Sequence, residues 1–175
     1  MKIVSRLVEI SKKSYTAKQK LIRFLPAGTF FLLIIPSFMV FACPKVDQIL
    51  PFPLMKKVQA AFILVLLGVG VTLWSVYTQL TLGKGTPFPL APTQKLVTTG
   101  PYAFCRNPIT LGVTVYYTGV ALMIGSSSAL ALTLLFLLFS IVYIKLIEEK
   151  ELEMRFGKEY KEYKRKTPFL IPLLI

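Results

Sequence analysis

The chain has 175 residues, of which 54% are hydrophobic, and its mean hydropathy of +0.64 is far above that of an ordinary soluble domain. A net charge of +13 does not indicate nucleic-acid binding, because the 21 basic residues fall between long apolar runs and line no single face. With no histidine and only two cysteines, Cys43 and Cys105, the chain cannot assemble a disulfide framework or a Cys/His zinc site. Composition therefore predicts an integral membrane protein without a metal centre.

Residues 1–23 form a basic segment that precedes the first apolar run. Its apolar positions suit a helix lying on an anionic membrane surface: Ile3, Leu7, Ile10, Leu21 and Ile22. A flexible basic leader would explain the same composition.

The next region, residues 24–82, holds two predicted membrane spans. The first covers about Phe24 to Ala42 and contains Pro36, which predicts a kink. The second covers about Val58 to Leu82, and its Gly68 and Gly70 favour close helix packing. Pro51 and Pro53 disfavour a regular helix in the connecting loop, residues 45–57.

Two further spans are predicted at Ile109 to Gly125 and Ala129 to Ile147. Only Ser126, Ser127 and Ser128 separate them, and so short a link requires an antiparallel hairpin. The fold class is therefore all-α and polytopic, with about four transmembrane helices.

Charge distribution orients these spans. Seven basic residues precede the first span (Lys2, Arg6, Lys12, Lys13, Lys18, Lys20, Arg23) and eight lie from Lys145 to Lys166, whereas loops 45–57 and 83–108 carry three each. Because basic residues concentrate on the cytoplasmic side, both termini are predicted to be cytoplasmic.

The third region, residues 83–175, combines a long loop, the helical hairpin and a charged tail. Loop 83–108 is rich in proline and glycine, yet it is expected to be ordered because it carries apolar residues to bury: Phe88, Leu90, Leu96, Val97, Tyr102 and Phe104. The tail is predicted to be a cytoplasmic amphipathic helix with one apolar stripe formed by Leu152, Phe156, Tyr160 and Tyr163.

Two polar clusters stand at the ends of the predicted hairpin and so at the same membrane face. Asn107 and Pro108 suit the N-cap and first position of the third span, where free backbone N–H groups and Arg106 could hold a carboxylate or phosphate. Opposite them, Glu148 and Glu149 could hold an ammonium group or ribose hydroxyls. A charged flank of the membrane would contain the same residue types without any ligand.

The order and spacing of these residues resemble the isoprenylcysteine carboxyl methyltransferase and phospholipid methyltransferase superfamily. The resemblance covers roughly residues 83–172 and rests on Gly100, Tyr102, Arg106, Asn107, Pro108, Gly112, Glu148, Glu149, Phe156, Gly157, Tyr160 and Tyr163. The chain departs from the pattern at Thr110, where the family usually has tyrosine.

The resemblance implies a methyltransferase that uses S-adenosylmethionine at the cytoplasmic face, with a lipidic or isoprenylated acceptor entering from the bilayer. It implies Arg106 and Glu149 as catalytic residues, and as cofactor-binding residues Leu96, Gly100, Tyr102, Arg106, Asn107, Pro108, Gly112, Glu148 and Glu149.

Three alternatives concern the acceptor and the class of protein. A carboxylate acceptor is already ionised at neutral pH, which favours carboxyl methylation in a chain without histidine, whereas a phospholipid amine would need a base such as Glu148, Glu149 or a tyrosine. From other classes, a sterol-reductase-like enzyme using NADPH and a non-enzymatic membrane scaffold stay open.

Overall fold

The computed structural model describes residues 2–11, 15–49, 54–87 and 91–172, and this part of the chain is 77% helical with no strand. Its α-helices are α1 (Lys2–Ser11), α2 (Ala17–Thr29), α3 (Ile35–Phe41), α4 (Cys43–Asp47), α5 (Val58–Thr81), α6 (Pro101–Phe104), α7 (Pro108–Ile124), α8 (Ser127–Tyr143) and α9 (Glu149–Lys166). A first π-helical turn, Phe30–Ile34, joins α2 to α3, and a second, Ile144–Glu148, joins α8 to α9. The predictions made for Pro51, Pro53, Phe88 and Leu90 lie outside the described residues.

The predicted all-α membrane fold is confirmed. In the described residues, three continuous helical segments are long and apolar enough to cross a membrane: Lys18–Asp47, Val58–Thr81 and Ser127–Lys166. The shorter apolar helix α7 has 17 residues and packs along α5. The protein is therefore an integral membrane protein. Its last apolar run ends at residue 147, directly before Glu148.

Helices α5 and α7 approach each other at glycines. A Cβ atom built on Gly68 would lie 2.6 Å from the carbonyl oxygen of Gly112, and one built on Gly112 would lie 2.5 Å from Thr72 Oγ1. Gly70 has nothing within 4 Å of such an atom. The predicted close packing is thus made by Gly68, and Gly70 takes no part in it.

Pro36, at which a kink is predicted, lies in the first turn of α3, directly after the first π turn. Since proline has no N–H, the carbonyl of Leu32 lacks its usual helical donor and accepts a hydrogen bond from the Tyr116 hydroxyl instead, at 3.2 Å. The Tyr117 hydroxyl likewise donates to the Phe31 carbonyl at 2.7 Å. Two tyrosines of α7 therefore satisfy carbonyls that the π turn leaves free.

The predicted hairpin of α7 and α8 is observed, and α4 fastens its link. Ser126 caps α8 by accepting a hydrogen bond from the Ala129 N–H at 3.1 Å. Asp47 accepts two more, from the Ser127 hydroxyl at 3.1 Å and the Ser128 N–H at 2.9 Å. The start of α7 and the end of α8 therefore lie at the same end of the hairpin, as the sequence predicted.

The apolar stripe of the tail packs on the central loop, as its pattern predicted. Val97 and Tyr102 of the loop form one buried cluster with the stripe residues Leu152, Phe156, Tyr160 and Tyr163. Unlike the single regular helix expected, α9 changes direction at Gly157, whose φ of 54° and ψ of −119° are accessible essentially to glycine alone. The change in direction lets both halves of α9 face the loop.

Candidate active site

A polar cavity of about 180 Å³ lies between the central loop, the start of α7, the second π turn and α9. Leu7 of the N-terminal helix α1 also lines this cavity. Of the nine residues expected to bind a cofactor, six line this cavity: Leu96, Tyr102, Arg106, Asn107, Pro108 and Glu148. The hairpin therefore brings the two polar clusters of the sequence to one site.

The other three expected residues lie around the cavity without lining it. Gly100 starts α6 with a φ of 62°, a left-handed conformation that favours glycine, and its Cβ position lies 3.5 Å from Thr78 of α5. Gly112 faces Thr72 of α5. Glu149 turns toward Arg106, with which it forms an ion pair.

Arg106 and Glu149, the two residues expected to be catalytic, belong to one buried ion network. Arg106 Nη1 lies 2.5 Å from Glu149 Oε1, and Lys164 Nζ lies 2.6 Å from Glu149 Oε2. Arg106 also donates from Nε to the Thr167 carbonyl at 3.1 Å and from its backbone N–H to the Pro168 carbonyl at 2.9 Å. This network fixes the end of α9 against the start of α7.

Asn107 occupies the predicted N-cap of α7 but does not cap it with its side chain. The side-chain amide donates instead to the Phe169 carbonyl at 2.7 Å. The backbone N–H groups of Ile109 and Thr110, which border the cavity, consequently have no hydrogen-bond partner within the described part of the chain. They present the positive end of the α7 dipole to the cavity.

A second buried ion pair faces the same cavity and was not anticipated. Arg155 Nη1 lies 2.7 Å from Glu151 Oε1, and Arg155 Nη2 donates to the carbonyl of Thr93. Burial raises the pKa of Glu151, and the neighbouring guanidinium opposes that rise. The i, i+4 spacing of the pair on a charged helix was the signal for it.

Glu148 is the acidic residue that faces the cavity without a partner. It ends the second π turn, in which the Glu149 N–H bonds the carbonyl of Ile144 five residues earlier. Elsewhere in residues 2–11, 15–49, 54–87 and 91–172, no side chain or backbone group forms an ion pair or hydrogen bond with its carboxylate. Burial, with smaller contributions from Glu151 and Glu149, raises the pKa of Glu148 to about 7.

Gln79 of α5 also borders the cavity and was missed by sequence reasoning. Its Oε1 atom is buried and has no hydrogen-bond partner among the residues described. A buried amide oxygen normally accepts a hydrogen bond, so this atom is available to a ligand. The signal was an isolated amide within a hydrophobic stretch that has no charged residue, residues 60–82.

A larger apolar cavity of about 510 Å³ lies beside the polar one, between α2, the first π turn, α5, α7 and α8. Six residues border both cavities: Pro87, Ile109, Thr110, Tyr143, Ile144 and Glu148. Thr110 therefore stands at the boundary between the two cavities, where its small side chain leaves room.

Comparison with known families matches residues 57–159 to the model described as phospholipid methyltransferase. The chain belongs to this family. The matched segment runs from α5 into α9 and contains both polar clusters, Gln79 and the boundary between the cavities. The chain is thus a membrane methyltransferase, in agreement with the resemblance noted from its motifs. A comparison with curated proteins found no match.

Proposed function

We propose that this methyltransferase uses S-adenosylmethionine as its donor and methylates a lipidic acceptor that enters from the bilayer. The observation that carries the proposal is the contact between a small polar cavity, bordered by charges of both signs, and a larger apolar cavity between the membrane helices. S-adenosylmethionine supplies an electrophilic methyl group carried by a sulfonium.

The groups around the polar cavity match the functional groups of this donor. The N–H groups of Ile109 and Thr110, with Arg106 nearby, suit its carboxylate. The unsatisfied Oε1 of Gln79 suits a hydroxyl or amino donor, which fits a nucleoside. Leu96 and Tyr102 offer apolar surface for the adenine.

Arg106 and Glu149, expected to be catalytic, are proposed to act by position. Their ion pair, together with Lys164, holds α9 and the C-terminal segment against the start of α7. Methyl transfer needs alignment and exclusion of water and requires no nucleophile from the protein. These residues supply a rigid, closed wall for the cavity.

The orientation of the chain in the membrane is also part of the proposal. Seven basic residues before the first span and eight from Lys145 to Lys166 favour cytoplasmic termini. Because the polar cavity adjoins α9 and the start of α7, donor binding then takes place at the cytoplasmic face, where the apolar cavity extends into the bilayer.

The test is calorimetric titration of S-adenosylhomocysteine into the protein in lipid nanodiscs, with NADPH titrated in parallel. We expect micromolar affinity for S-adenosylhomocysteine and none for NADPH. Leu96→Trp, which fills the polar cavity, should abolish binding, whereas Leu138→Trp on an exposed face of α8 should not. Absence of binding to the wild-type protein, or binding of NADPH instead, would contradict the proposal.

A further inference from the structure

After α9 the chain continues without regular secondary structure through residues 167–169, which we call the C-terminal strap. Pro168 accounts for the end of the helix, because the residue before a proline avoids the helical conformation. Thr167 accordingly has a φ of −113° and a ψ of 129°. The strap lies beyond residues 57–159, the segment that matches the family model, so the match does not describe its role.

The strap is fastened to the start of α7 by three hydrogen bonds to its backbone carbonyls. The Nε atom of Arg106 donates to the carbonyl of Thr167 at 3.1 Å, and the backbone N–H of Arg106 donates to that of Pro168 at 2.9 Å. The side-chain amide of Asn107 donates to the carbonyl of Phe169 at 2.7 Å. Three successive carbonyls thus bind the two residues that precede α7.

The aromatic ring of Phe169 adds contacts with two cations. The guanidinium carbon of Arg106 lies 5.5 Å from the ring centroid, and Nζ of Lys145 in the second π turn lies 5.3 Å from it. A cation at this distance is attracted by the quadrupole of the ring. Phe169 therefore joins the strap to the residue before α7 and to the turn that follows α8.

The strap decides what Asn107 does at the start of α7. An asparagine at an N-cap ordinarily accepts a hydrogen bond from a backbone N–H group of the first turn. Because Asn107 donates to the carbonyl of Phe169 instead, the N–H groups of Ile109 and Thr110 stay without a partner in the described part of the chain. Both residues line the polar cavity.

Arg106, which lines the same cavity, is oriented by the strap as well. The carbonyl of Thr167 holds its Nε atom at 3.1 Å, and Glu149 lies 2.5 Å from Nη1. A guanidinium has five N–H groups, so Arg106 retains donors for a ligand. The buried, unsatisfied Oε1 atom of Gln79 independently indicates a ligand in this cavity.

We propose that the C-terminal strap positions the anion-binding groups of the donor site, and that Phe169 is the positioning residue that keeps the strap in place. This inference rests on the proposed donor, whose carboxylate is received by the N–H groups of α7 and by Arg106. When the strap is released, Asn107 caps α7, and its side-chain oxygen competes with the carboxylate for the same N–H groups. Donor affinity thereby depends on residues outside the cavity lining.

The first experiment is calorimetric titration of S-adenosylhomocysteine into full-length variants in lipid nanodiscs. Phe169→Leu removes the ring but keeps the strap backbone, and Phe169→Tyr retains an aromatic face for both cations. Phe62→Leu is the matched control on an exposed face of α5, outside both cavity linings. We expect Phe169→Leu to weaken binding by about tenfold, and Phe169→Tyr and Phe62→Leu to stay within about threefold of wild type.

A second pair of variants separates positioning from stability. Asn107→Ser and Asn107→Ala both lose the side-chain amide that binds Phe169, but only serine can cap α7. We therefore expect Asn107→Ser to have the higher melting temperature and yet to bind S-adenosylhomocysteine about fivefold more weakly than Asn107→Ala. A purely structural role would give the opposite order, with the more stable variant binding more tightly.

Three results would overturn this inference while the donor proposal stands. They are unchanged affinity in Phe169→Leu, no recovery in Phe169→Tyr, and an Asn107→Ser variant that binds at least as tightly as Asn107→Ala. If Phe169→Leu does not fold, the order of the two Asn107 variants decides alone. Failure of the wild-type protein to bind S-adenosylhomocysteine would instead reject the proposed function itself, and this inference with it.

Discussion

Replacing Gln79 by methionine should affect stability and ligand binding in opposite directions. The buried Oε1 atom lacks a partner among the described residues, and an unsatisfied buried polar group costs about 1 to 3 kcal/mol. Since only part of the Gln79 side chain is buried, the lower end applies, and Gln79→Met should raise the free energy of unfolding by about 1 kcal/mol. For a chain of this size the melting temperature would rise by about 2 to 4 °C.

The same change removes the hydrogen bond that we assign to the donor. The loss of one hydrogen bond costs about 0.5 to 1.5 kcal/mol, which corresponds to a weakening of S-adenosylhomocysteine binding by about two- to tenfold. Thermal unfolding in detergent with and without S-adenosylhomocysteine measures both effects in one assay.

The matched control is Gln59→Met, which removes an exposed amide from the same helix and should change neither quantity by more than about 0.5 kcal/mol. A destabilised Gln79→Met variant, or one that binds S-adenosylhomocysteine as tightly as wild type, would refute the reasoning that a ligand satisfies this atom.

Three further predictions concern the walls of the site. Glu149→Gln leaves the buried guanidinium of Arg106 without its counter-charge and should lower the free energy of unfolding by about 3 kcal/mol; a change below about 0.5 kcal/mol in chemical denaturation would contradict this. Gly157→Ala meets no neighbour within 4 Å, so its cost is the backbone strain alone, about 1 to 3 kcal/mol, and an unchanged melting temperature would show that α9 is not bent there. Because burial raises the pKa of Glu148 from 4.5 to about 7, the folded state holds a proton there that the unfolded chain has released. The free energy of unfolding should therefore fall as pH rises from about 4.5 through 7. This prediction is wrong if the pH profile of stability is equally steep in Glu148→Gln.

Much of the fold could be predicted from the sequence because it depends on long apolar runs and short links. The span lengths and the three serines at the start of α8, residues 126–128, were sufficient to place both polar clusters at one face. Asn107 and Pro108 correctly marked the start of α7. These features are local, and no distant contact competes with them.

The unpredicted features depend on single residues and on distant partners. One additional residue in the second π turn decides whether Glu148 or Glu149 faces the cavity, and hydropathy does not register such an insertion. The free oxygen of Gln79 and the contact of Arg155 with the Thr93 carbonyl need tertiary structure to be seen. Gly157 matched the family pattern, yet a charged helical sequence around it gave no sign of a bend.

The apolar cavity has one stiff side and one adjustable side, and the two π turns belong to the adjustable one. On the stiff side, Gly68 and Gly112 let the backbones of α5 and α7 approach so closely that a Cβ atom at either position would clash. On the other side, α2 and α8 each continue into a π turn, which can return to α-helical pairing by moving a single residue. We therefore expect the width of the apolar cavity to adapt to the lipid. Acceptors with saturated chains and acceptors with bent unsaturated chains should then be methylated at similar rates.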